Sequence, residues 1–110
     1  MAAWFGRCAS TLACALIAGA VSAADPVVTV VVEHMRFEPA SVVVKAGTVV
    51  RWVNREKRTS HSVLFTGPGG FESERFLPDE HYERRFDKPG RYPYLCGPHP
   101  DMQGVVEVTP

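Results

Sequence analysis

Tyr92-Pro93-Tyr94-Leu95-Cys96-Gly97-Pro98-His99-Pro100-Asp101-Met102 ends one alternating apolar run and leads straight into another, Gly104 to Thr109. The stretch between the two runs is too short and too rich in Pro and Gly for a helix, so it reads as a turn between neighbouring strands. That turn carries a thiol, an imidazole and a thioether spaced C-x2-H-x2-M, and it can aim all three at one point. A soft thiolate, imidazole and a weak thioether match a trigonal copper site with a long axial ligand. Zinc asks for four strong ligands in a tetrahedron and makes little use of methionine. The alternative is a buried Cys96 acting as a small hydrophobe, with Met102 filling the core; it leaves His99, midway between them, unexplained.

Working outward, period-two apolar runs dominate: Val27 to Val32, Ser41 to Val44, Thr48 to Asn54, His61 to Thr66, His81 to Phe86 and Arg91 to Cys96. Turn signals separate them at Pro39, Ala46-Gly47, Gly67 to Gly70, Pro78-Asp79 and Lys88-Pro89-Gly90. Nine Gly and nine Pro in a 110-residue chain is a high count that points to many turns. No helical periodicity survives for twelve residues without a Gly or Pro. The pattern predicts an all-β, antiparallel Greek-key sandwich of about seven to eight strands. Gly67 to Glu80 reads as a charged, solvated loop. Alternation puts Arg84 on the side of Tyr82 and Phe86, so either its stem covers the core edge or the register slips.

Twelve basic residues cancel twelve acidic ones, which gives no reason to expect nucleic-acid binding. From Cys8 to Ala24 runs an uncharged, Ala-rich stretch preceded by Arg7 and ending in Val21-Ser22-Ala23-Ala24. It is shorter than the roughly 20 apolar residues that span a bilayer, and its small terminal residues suit a signal peptidase. Residues 1–24 are therefore read as a secretory signal and 25–110 as one domain, with an uncleaved anchor as the alternative. Cleavage leaves a mature chain of net charge −1 with Cys96 as its sole cysteine. One thiol cannot close a bridge within the chain, so in an oxidising compartment it is buried or occupied.

A trigonal copper set needs a second imidazole. His34, beside Met35 at the end of the first run, and His81, amid charged residues, read as surface or edge histidines. His61 opens the apolar run His61-Ser62-Val63-Leu64-Phe65, where sheet hydrogen bonds can hold a ligand rigid.

The blocks Trp52-Val53-Asn54-Arg55-Glu56 through His61 and Tyr92 through Met102 resemble the small blue-copper proteins, the cupredoxins. Within that family they are most similar to amicyanin, and more distantly to plastocyanin and pseudoazurin. Phe37-Glu38-Pro39 through Lys45-Ala46-Gly47-Thr48-Val49 matches the family's usual opening. The resemblance implies that His61, Cys96 and His99 are equatorial ligands of one copper ion and Met102 the axial one. It further implies a periplasmic, monomeric one-electron carrier rather than an enzyme. Its partners would be redox proteins such as a c-type cytochrome or a periplasmic dehydrogenase. The rival reading is a protein that stores or delivers copper.

Four neighbours of the ligands bear on the site. Ser62 stands where relatives commonly have Asn, and Gly97 where they often have Thr, so a side chain–side chain brace is lost, although Ser62 can bond to backbone instead. Pro98 and Pro100 fix φ on both sides of His99. Pro98 also has no N–H to give the Cys96 sulfur, which leaves the thiolate electron-rich and favours Cu(II). Arg55, Lys57 and Arg58 sit on the loop before His61 and are either a solvated loop or a rim that steers an acidic partner.

Overall fold

Thr48–Asn54 alternates buried and half-buried residues without a break, with Val50, Trp52 and Asn54 fully buried. A strand so placed lies at the centre of a sheet. In the computed structural model, which describes residues 25–110, eight strands form two four-stranded sheets, and no helix occurs among them. The strands are β1 (Val27–Glu33), β2 (Arg36–Glu38), β3 (Ser41–Lys45), β4 (Thr48–Asn54), β5 (Leu64–Phe65), β6 (His81–Phe86), β7 (Gly90–Leu95) and β8 (Gln103–Thr109). The first sheet runs β2-β1-β4-β6 and the second β3-β8-β7-β5. The signal-peptide reading, with Cys8 and Cys14, lies outside the described residues.

Two features depart from the sequence expectation. The sheets are mixed: β1 pairs in parallel with β4, and β3 with β8. Parallel neighbours need a crossover rather than a hairpin. Here the chain leaves the first sheet after β2, runs through β3 in the second, and returns as β4 past Gly47, whose φ of 93° suits glycine. The run from His61 to Thr66 is also not one strand. Only Leu64 and Phe65 pair with β7. His61 instead exchanges two backbone bonds with Phe76, at 3.2 and 3.0 Å, and Ser73 N–H donates to Val63 O at 2.9 Å. The segment read as a solvated loop thus forms a ladder with the His61 segment and buries Ser73 and Phe76. The added strand β2 is three residues long, reached through His34 and Met35, both at positive φ.

Trp52 anchors the core. Its ring centroid lies 5.4–6.5 Å from those of Phe65, Tyr82, Phe86 and Tyr94. Around it pack Val30, Val32, Val50, Val63 and Val106, all fully buried. β6 keeps its register, with Arg84 opposite Val50. The Arg84 guanidinium lies 4.5–5.8 Å from the ring centroids of Phe65, Phe71, Phe86 and Tyr92. Its charge is stabilised by ring quadrupoles while its stem covers the core edge.

Trp52 Nε1 and Tyr94 Oη are buried without a hydrogen-bond partner. Burial pushes the Tyr94 phenol up to about 12, and the neighbouring Trp52 indole works in the opposite direction without reaching hydrogen-bond geometry. The folded state keeps this proton where an unfolded phenol, with a pKa near 10, gives it up. Stability from the neutral phenol is therefore complete below about pH 10 and lost as pH rises toward 12. Tyr94→Phe should remove about 2–3 kcal/mol of this alkaline loss, measured as the difference between the urea-unfolding free energies of the two proteins at pH 8 and pH 12.

Candidate metal centre

The turn between β7 and β8 is built from local hydrogen bonds. His99 N–H donates to Cys96 O at 3.2 Å and Met102 N–H to His99 O at 2.9 Å, while Cys96 N–H closes the turn on Met102 O at 3.0 Å. Each of the first two bonds spans three residues, and three-residue turns bring side chains i and i+3 to one side. That is the physical content of the C-x2-H-x2-M spacing. Cys96 and Met102 are buried, and His99 is half-buried.

His61 reaches the same point from the far side. Its Nδ1 stands 3.5 Å from Cys96 Sγ, and His99 Nδ1 stands 3.7 Å from it. One donor atom each from His61, Cys96 and His99 lie within 4.8 Å of one another, the one such group of three among the described residues. The two imidazole centroids are 5.2 Å apart. Ser62 N–H points at the sulfur at 3.4 Å. Two imidazole nitrogens, a thiolate and a nearby buried thioether residue fit copper.

His61 is held from behind. Its Nε2 lies 3.4 Å from Glu56 Oε1, an oxygen that also accepts Met35 N–H at 2.8 Å. Burial, the largest cause, pushes the His61 pKa below the ordinary 6.5; the Glu56 hydrogen bond and charge oppose that shift, and His99 adds to it. A neutral imidazole turned by a carboxylate offers its other nitrogen to a metal.

The loop carrying Glu56 is organised by Asn54. Its amide donates to Thr59 O at 2.8 Å and Phe76 O at 3.0 Å, and its carbonyl accepts Glu56 N–H at 2.8 Å. Fully buried, Asn54 joins the end of β4 to the loop and to the strip that pairs with His61.

Of the neighbours singled out in the sequence, Ser62 is buried, and its hydroxyl accepts Gly97 N–H at 3.0 Å while donating to Glu72 Oε2 at 2.7 Å. Pro98 is half-buried and Pro100 exposed on either side of His99. Arg55, Lys57 and Arg58 are exposed on the loop that Asn54 organises, with Arg55 3.8 Å from Asp79. Lys57 and Arg58 form no ion pair with the described residues. His34 and His81 are exposed and stand apart from the cluster. Sequence reading gave no role to Asn54, Glu56 or Glu72. The Asn54-Arg55-Glu56 block was visible as a motif, whereas nothing local marks Glu72.

A family model described as a cupredoxin-like domain matches residues 3–108. Amicyanin-alpha of Methylorubrum extorquens is 37% identical over 102 residues, covering 86% of this chain and 85% of that protein. Amicyanin of Paracoccus versutus is 40% identical over 96 residues, covering 84% of this chain and 71% of its own length. Among solved structures, a Cu(I) form of an amicyanin variant superimposes with a TM-score of 0.72 at 32% identity, covering 78% of this chain and 85% of that one.

Truncating Asn54 removes the bonds to Thr59 O and from Glu56 N–H, and one of the two donors to Phe76 O. Asn54→Ala should cost about 2–3 kcal/mol, read as a lower urea midpoint of the metal-free chain. Asn54→Asp should cost at least as much, because it sets a carboxylate oxygen against the Thr59 and Phe76 carbonyls.

Proposed function

The chain belongs to the cupredoxin family, and from that premise we propose that it is a type 1 copper protein carrying single electrons between redox partners. The observation that carries this reading is the convergence of His61 Nδ1 and His99 Nδ1 on Cys96 Sγ inside the sandwich. In this reading His61, Cys96 and His99 would supply the three strong donors that hold the ion, and Met102 the weak thioether donor. Copper bound there supplies a one-electron Cu(I)/Cu(II) couple.

The chain's own contribution is rigidity and enclosure. Sheet bonds to Phe76 fix His61, the closed turn fixes Cys96 and His99, and burial of Cys96, His61 and Met102 excludes water. A site that holds one geometry in both oxidation states needs little rearrangement when charge moves. His99 is the proposed ligand that is only half-buried, so a partner docked over Gly97, Pro98 and Pro100 comes nearest the centre through its ring. With three strong donors and a thioether around one point, no position is left for a substrate, which favours a carrier over an enzyme. Storage or delivery of copper is the rival use, and a buried, pre-shaped site argues for retention.

Residues 1–24 act in this proposal as a secretory signal, which places the mature chain in the periplasm. Among the described residues no helix is long and apolar enough to cross a membrane.

Copper(II) added to the purified mature chain should produce an intense visible thiolate-to-copper band that Cys96→Ser abolishes. A colourless product overturns the reading. Rapid loss of copper to a chelator, with no reversible voltammetric wave, favours delivery instead. The exposed Arg55, Lys57 and Arg58 supply a positive rim near the His61 end. Reversing all three to Glu should slow association with an acidic c-type cytochrome about tenfold or more at low salt, and the difference should shrink as salt is raised, followed by stopped-flow.

A further inference from the structure

Gly97 follows the cysteine, and its neighbourhood is crowded in a particular way. A Cβ built on Gly97 would overlap the Glu72 carboxylate, meeting Oε2 first, and would also press on Ser62 Oγ. The space beside the ligand turn that a side chain at position 97 would fill is occupied by a carboxylate from another segment.

Glu72 is held there by backbone pairing. Its residue bridges Leu64, while Phe65 N–H donates to Phe71 O and Ser73 N–H to Val63 O, each at 2.9 Å. Ser73 Oγ accepts Val63 N–H at 2.9 Å. The carboxylate accepts the Ser62 hydroxyl at 2.7 Å, a charge-assisted length. Because that hydroxyl proton is committed to Glu72, the Ser62 oxygen turns a lone pair to Gly97 N–H at 3.0 Å. The result is a directed chain, amide to hydroxyl to carboxylate, in which each bond polarises the next.

We propose that Glu72 is a positioning residue of the metal centre, replacing the side chain absent at position 97 and clamping the Cys96–His99 turn to the His61 segment through Ser62. This rests on the copper reading for its redox consequence but not for the clamp, which is a property of the polypeptide. The clamp joins the residue after Cys96 to the residue after His61, so it sets how the thiolate and the first imidazole face each other. The carboxylate also adds a fixed negative charge beside the turn and stabilises the more positive oxidation state. Glycine at 97 leaves open the space that the Glu72 carboxylate takes.

The experiment has a metal-free arm and a copper arm. In the metal-free chain, Gly97→Ala should lower the folding equilibrium constant at least tenfold more in the native background than in a Glu72→Ala background, by urea unfolding of all four proteins. The Gly97 amide should exchange with solvent about tenfold faster in Glu72→Ala and stay protected in Glu72→Gln, whose amide oxygen still accepts the Ser62 hydroxyl. In the copper arm Glu72→Gln, a surface change that keeps the hydrogen bond, should raise the reduced-to-oxidised ratio at fixed electrode potential about threefold, roughly 30 mV at 59 mV per tenfold. Additive Gly97 and Glu72 effects, unchanged Gly97 exchange in Glu72→Ala, or an unchanged potential in a blue Glu72→Gln protein would each overturn the assignment. A native protein that binds no copper yet shows the coupling and the exchange effect would sink the copper reading and leave the clamp standing.

Discussion

A buried thiol sulfur with an imidazole nitrogen of buried His61 3.5 Å away and one of half-buried His99 3.7 Å away is the constraint around which the rest of this structure is arranged. Bringing two polar rings and a sulfur together away from water is unfavourable unless each remaining polar atom is satisfied. His61 Nε2 has Glu56, the sulfur has Ser62 N–H, the Cys96, His99 and Met102 amides are spent on the turn's own carbonyls, and Gly97 N–H has Ser62 Oγ. Asn54 makes this possible at a distance, for it fixes the loop that delivers Glu56 and the strip that pairs with His61. Site and scaffold therefore share hydrogen bonds, and neither is an addition to the other.

Local hydrogen bonding and alternation were the parts legible in the amino-acid sequence. The Cys96–Met102 turn is closed by bonds within seven residues, so its spacing could be read directly. β4 and β6 were visible with their observed limits because alternation runs through them unbroken. Arg84, which looked misplaced, keeps that alternation because four rings receive its charge.

What stayed hidden depends on path rather than composition. Parallel pairing of β1 with β4 and of β3 with β8 follows from the chain changing sheets, which no local period records. The run after His61 looked like one strand but pairs with two different partners along its length. Glu72 lay in a stretch that reads as solvated; its position beside Gly97 arises only once that stretch lies against Val63 and Phe65.

The outer strands have a further consequence for life at high concentration. β2 is three residues long and flanked by Arg36 and Glu38, β5 is two residues long, and β6 alternates its inward residues with His81, Glu83 and Arg85. Short or charged borders offer a poor template for a strand from another molecule. Of the four borders, β3 alone combines five residues with an exposed apolar side chain, Val43 at 64%. It ends in Lys45, whose charge discourages stacking. Such borders disfavour edge-to-edge polymerisation of neighbouring copies.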